Sequence, residues 1–97
     1  MPPVPKNKHF ELSPAKNKKY RVYFTLGSDE YYLDFGQVGY EQYRDSTPLR
    51  AYAHNDHRDP KRRANYLSRA GGIVDKHGRK TKDNPLSPNY WSIRYLW

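Results

Sequence analysis

With 97 residues, 35% of them hydrophobic, ten Tyr, no Cys and a net charge of +8, the chain has room for one thin-cored domain and none for a disulfide, a thiolate zinc site or a thiol nucleophile. No apolar run approaches the roughly 20 residues that cross a bilayer, and Met1 to Phe10 lacks the apolar centre of a secretory signal, so a soluble chain with no membrane span is expected. The charge favours polyanions or acidic protein surfaces as partners, solubility alone being its other use.

Residues 1–19 set Pro2, Pro3, Pro5 and Pro14 among Lys6, Lys8, Lys16, Lys18 and Lys19. Such a composition buries too little apolar surface to fold alone and predicts an extended basic arm ahead of a folded domain over 20–97. Tyr20, Val22, Phe24 and Leu26 then alternate with Arg21, Tyr23 and Thr25, the period of a strand with one buried face. Gly27 to Glu30 supply turn chemistry and Tyr31 to Phe35 is again rich in β-formers, so a hairpin is expected, with a bend at Gly36 and Gly39 after it.

Asp45 to Arg58, with weak periodicity and Pro48, reads as loop with one helical turn. Asp59 and Pro60 have the form of a helix cap and first position, Lys61 to Ala70 propagate the helix, and Gly71 and Gly72 end it. Its apolar stripe is Ala64, Leu67 and Ala70 with Tyr66 beside it, and Lys61, Arg62, Arg63 and Arg69 fill the remaining surface. Ile73 to Pro85, carrying Lys76, Arg79, Lys80 and Lys82, predicts an exposed basic loop. Ser87 and Pro88 repeat the cap signal before a short closing helix, whose apolar side takes Trp91, Tyr95 and Ile93 or Leu96. The whole reads as a small α+β domain: a β-hairpin or small antiparallel sheet packed with two short helices, plus the arm.

His54, Asp56, His57 and Asp59 lie close enough in sequence to raise the question of a metal. No third histidine follows at a zinc spacing, so Asp59 is expected to cap the helix and His57 to bond nearby backbone. Asp34-Phe35-Gly36 spells a kinase magnesium motif without the rest of a kinase, and no serine sits in a nucleophile elbow. No catalytic residue, cofactor, metal or small-molecule substrate is therefore expected. What remains is basic and aromatic: cations that could neutralise phosphates, and tyrosines that could stack on unpaired bases. With so few aliphatics, Tyr31, Tyr32, Tyr40 and Tyr43 are expected instead to form the core or a protein interface, and the arginines suit carboxylates as well as phosphates.

The order Phe35-Gly36-x-x-Gly39-Tyr40-x-x-Tyr43, then His57-x-Asp59-x-x-Arg62-Arg63-x-x-Tyr66-x-x-Arg69, then Tyr90-Trp91-Ser92 and Leu96-Trp97, resembles an uncharacterised family of small basic proteins from large DNA viruses of algae and protists. The resemblance runs from about Lys19 to Trp97, with Arg44 to Asp56 and the loop beyond Gly71 longer than the family pattern. It implies a viral product without catalytic activity, carried in the virion. Two functions follow as expectations: a minor capsid or cement protein bridging larger coat proteins, or a packaged protein that binds nucleic acid and condenses the genome. The residues expected to meet a partner are Lys16, Lys18, Lys19, Arg62, Arg63, Arg69, Lys80, Trp91 and Trp97.

Overall fold

Burial of Tyr20, Val22 and Phe24 makes β2 (Lys18–Leu26) the centre of a three-stranded antiparallel sheet ordered β1-β2-β3. β3 (Asp29–Gln37) returns from β2 through Gly27 and Ser28, closed by the Leu26 and Asp29 pair. Gly27 at φ 61 supplies the left-handed first position that a twisted two-residue hairpin turn requires. The computed structural model describes residues 4–97, and Pro2 and Pro3 of the expected arm lie outside the described residues.

The remainder of that arm is not an arm. Lys6–Leu12 forms β1, which pairs antiparallel with β2 and sets Phe10 opposite Val22. The Phe10 ring meets Phe35, Trp91 and Tyr95 at centroid distances of 6.2, 6.1 and 4.7 Å. One buried anchor is enough here because β2 supplies the backbone partners, and the lysines of β1 stay in water. The folded domain thus begins well before Tyr20.

Asp59 caps α1 (Pro60–Ala70) by accepting from the amides of Lys61 and Arg62 at 2.9 and 3.4 Å. Ser87 caps α2 (Pro88–Tyr95) by accepting from Asn89 N at 3.3 Å. Single turns of 3-10 helix occupy Ala53–Asn55 and Thr81–Asp83. α2 and the residue after it press Trp91 and Leu96 into the inner face of the sheet, where they complete a core of Phe10, Tyr20, Val22, Phe24 and Phe35. Trp91 Nε1 donates to the Pro85 carbonyl at 2.8 Å, so the indole is buried without an unsatisfied donor. The domain is α+β, as its sequence pattern implies.

Of the tyrosines expected in the core or at a protein interface, Tyr31, Tyr32 and Tyr40 do not enter the core. Tyr32 and Tyr40 are 60% and 64% exposed and Tyr31 is also exposed, whereas Tyr20 is the fully buried one. Strand parity separates Tyr32 from Tyr20: Tyr32 sits opposite Tyr23 on the outer face, and Tyr20 sits opposite Phe35 on the inner one. Gly36, at φ 76, admits the closing segment, because a Cβ there would lie 2.8 Å from Leu96 Cδ1 and 3.2 Å from Lys19 Cβ.

Candidate functional site

Beneath the bend after β3 lies a buried polar network that spans distant parts of the chain. Lys19, 2% exposed, donates Nζ to the Tyr40 carbonyl at 2.7 Å and to Gln42 Oε1. Gln42 Nε2 donates to the Tyr52 carbonyl at 2.7 Å and to Asp56 Oδ1 at 2.6 Å. Asp56 Oδ1 also accepts from Asp45 N at 2.8 Å, and Asp45 accepts from the Tyr20 hydroxyl and from Thr47 N and Oγ1. Burial pulls the Lys19 ammonium below its ordinary pKa while the charges of Asp45 and Asp56 resist that change. Burial, then the bond to Asp45, pushes the Tyr20 hydroxyl up to about 12. The network fixes the Tyr40–Asp56 segment over the end of the sheet, which is why Lys19 is a structural residue and not a solvent-facing contact.

This foundation shapes a cleft of about 580 Å³ between α1, α2 and the Tyr40–Gln42 segment. Arg62, Tyr66 and Arg69 follow one face of α1 at the spacing of successive turns and form one wall. Lys18 enters from β2, and Ile73, Leu96 and Trp97 add apolar surface. Trp97 stacks on Tyr66 with ring centroids 4.0 Å apart, and Arg69 lies 5.8 Å from the Tyr66 centroid. At the rim Arg62 Nη1 bonds Glu41 Oε1 at 3.1 Å. The arrangement offers guanidinium and ammonium donors beside an aromatic wall, chemistry suited to carboxylates carried on a partly apolar segment.

The structure brings Lys18, Arg62, Arg69 and Trp97 together over the buried Lys19 and separates the other expected contact residues. Arg63 turns away from the cleft: its Nε donates to the Trp97 main-chain oxygen at 2.8 Å and its guanidinium lies 5.0 Å from the Tyr43 ring centroid. Trp91 is a correction, since complete burial in the core removes it from any contact surface. Lys16 is exposed between β1 and β2. Lys80 is exposed beside a second cleft, lined by Leu26, Pro85 and Leu86 among others. Asn65 and Glu41 join the first cleft without having been anticipated; for Asn65 the signal was available, as it lies three residues after Arg62 and four before Arg69 on the same helix.

Three of the four residues that raised the question of a metal are committed elsewhere. Asp59 caps α1, His57 Nδ1 accepts from Asp59 N at 2.9 Å, and Asp56 belongs to the buried network. Among the described residues no group of three His, Cys, Asp or Glu is placed to hold a metal ion, and no helix is long and apolar enough to cross a membrane. The outer sheet face carries a row of His9, Tyr23 and Tyr32, with Arg21 lying 4.5 Å from the Tyr32 centroid. Glu11, Glu30 and Asp34 share that face, so it repels a phosphate backbone more than the α1 cleft does.

Residues 8–70 match the family of unknown function DUF5754. The chain belongs to that family. The matched span runs from β1 through α1, so this DUF5754 domain carries Lys18, Arg62, Tyr66 and Arg69 inside the family region and completes the cleft with Ile73, Leu96 and Trp97 beyond it. No curated protein and no solved structure matched the chain.

Proposed function

We propose that this DUF5754 protein is a non-enzymatic structural component of a virus particle, a minor capsid or cement protein that docks acidic segments of larger coat proteins into the α1 cleft. The observation that carries the reading is the composition of the cleft: Lys18, Arg62 and Arg69 border an apolar surface of Ile73, Leu96, Tyr66 and Trp97. A protein segment with carboxylates and apolar side chains uses both parts, whereas a phosphate backbone uses only the cations. Glu41, already bonded to Arg62, marks where an incoming carboxylate can exchange for it. The particle setting comes from the sequence resemblance to viral proteins.

Zero-length carbodiimide cross-linking within purified particles tests this. Lys18 joined to Asp or Glu of a coat protein, and lost incorporation of an Arg62→Glu, Arg69→Glu double variant, are the expected results. Unchanged incorporation of that variant would overturn the docking role.

A second reading, packaged nucleic-acid binding, draws support from the net charge of +8. Among the described residues, ion pairs engage Arg21, Arg62 and Lys82 of the Lys and Arg side chains, leaving many cations without an acidic partner. Oligonucleotide binding that persists at physiological salt with a steep logarithmic slope would favour it over docking.

A further inference from the structure

The two edges of the sheet are built differently. β1 is guarded: its register with β2 shifts between Lys6 and His9, Asn7 takes φ 55, and Lys6 and Lys8 are exposed along it. Irregularity and lysine are how natural edge strands refuse another strand. β3 has neither device between Asp29 and Asp34. Its pairing with β2 is continuous through that stretch, no proline interrupts it, and Tyr31 and Tyr32 are exposed.

Hairpin geometry says which backbone groups on β3 are free. The Leu26 and Asp29 pair flanks the two-residue turn and is therefore hydrogen-bonded, so the pairs alternate from there and Glu30, Tyr32 and Asp34 turn their N–H and C=O groups away from β2. Among the described residues no hydrogen bond outside the sheet takes up these groups. Asp34 is bound by Arg21 at 2.9 and 3.1 Å, while Asp29 and Glu30 are in no ion pair among the described residues.

We propose that the β3 edge over Asp29–Asp34 accepts an extended strand from another protein, one in which Lys or Arg alternates with apolar residues. The basic positions would lie beside Glu30 on the outer face, and the apolar ones beside Tyr31 and Leu33, where Leu33 already packs against the core. A second copy of this chain is the poorer occupant. Self-pairing centred on Tyr32, the register that uses all three outward residues of both strands, sets Glu30 against Asp34 twice, and like charges placed opposite each other destabilise a ladder. This contact is separate from the α1 cleft and stands whether or not that cleft docks acidic segments.

Hydrogen exchange followed by NMR on the full chain tests the proposal, using a short capped peptide of alternating Lys and Val as probe. In the free, dilute protein the amides of Glu30, Tyr32 and Asp34 should exchange fast and those of Tyr31 and Leu33 slowly. Saturating peptide should slow the first three at least ~tenfold, the same peptide N-methylated at Lys, whose amides face β3 in antiparallel pairing, should bind at least ~tenfold more weakly, and Tyr32→Pro should abolish protection. Glu30→Lys, which leaves the backbone intact, should weaken binding several-fold, and the Arg62→Glu, Arg69→Glu variant should bind the probe as the parent does. Equal binding of the N-methylated peptide would overturn strand addition. So would slow exchange of the three amides in the free protein, or perturbations that map to the cleft. Protection that grows with protein concentration in the absence of peptide would give the edge to a second copy and overturn the stated partner.

Discussion

Tyr66 and Trp97 lie face to face, their ring planes 7° from parallel and their centroids 4.0 Å apart. This stack joins α1 to the segment after α2, and it matters because α1 contributes little else to the interior: of its residues only Ala70 is buried. Trp97→Ala should therefore loosen α1 specifically. We expect a loss of about 1 to 3 kcal/mol in urea unfolding, at the low end of large-to-small costs because the pair is only half-buried. Amide exchange should accelerate along Pro60–Ala70 and stay slow in β2. Equal acceleration in both would show that the stack supports the whole domain instead.

Tyr20 supplies a hydroxyl to a buried carboxylate, and Tyr20→Phe keeps the ring while removing the bond. The Asp45 carboxylate loses a donor, and the Ala51 amide, 2.9 Å from the hydroxyl, loses its acceptor. A destabilisation of about 1 to 3 kcal/mol is expected, because buried partners left unpaired carry a desolvation cost. A neutral result by chemical denaturation would mean that water reaches Asp45.

The same hydroxyl makes stability depend on alkaline pH. A folded pKa of about 12, against an unfolded value of roughly 10, means the folded state holds the Tyr20 proton more tightly. The associated stability is fully present below the unfolded pKa and is lost as pH rises through the folded one, about 2 to 3 kcal/mol across that window. Lys19 acts in the opposite sense. Its lowered pKa means the unfolded chain binds more protons as pH approaches the ordinary lysine value, so its contribution improves with rising pH. Comparing parent and Tyr20→Phe at matched pH isolates the tyrosine: the stability gap between them should narrow above about pH 10, and a constant gap would refute the assignment.

Removing residues 1–12 should unfold the domain, since it strips β1 and Phe10 from the sheet and core. The contrary outcome, a retained near-ultraviolet tryptophan signal and cooperative melting, would restore the view of this segment as an arm.

Gly36→Ala combines a side chain at φ 76 with a Cβ lying 2.8 Å from Leu96 Cδ1. A cost of at least about 1 to 3 kcal/mol is expected from the backbone alone. Gly39→Ala shares the positive φ but meets open space, so it should cost less; thermal melts of the two variants separate strain from crowding.

What could be read in the sequence was what is local. The β2 to β3 hairpin and the caps at Asp59 and Ser87 announce themselves within a few residues, through alternation, turn chemistry and the Asp-Pro and Ser-Pro pairs. β1 was hidden because one buried phenylalanine among lysines has no period to detect, and its strand character comes from β2. The Lys19, Gln42 and Asp56 network was hidden because its members are distant in sequence, and a lysine gives no sign that it will be buried. Half the cleft was legible, as the arginine face of α1; that Lys18 and Trp97 complete it, and that Arg63 does not, depends on how α2 returns to the sheet.

Trp91 and Leu96 have one further consequence, for the order in which the protein can be made. Both fill the inner face of a sheet whose strands end at Gln37, so every strand has left the ribosome long before the residues that cover it. Until synthesis reaches Leu96, Phe10, Val22, Phe24 and Phe35 face solvent or whatever shields nascent chains. The core therefore closes late, and a ribosome stalled after the three strands have emerged but before α2 presents an adhesive apolar sheet.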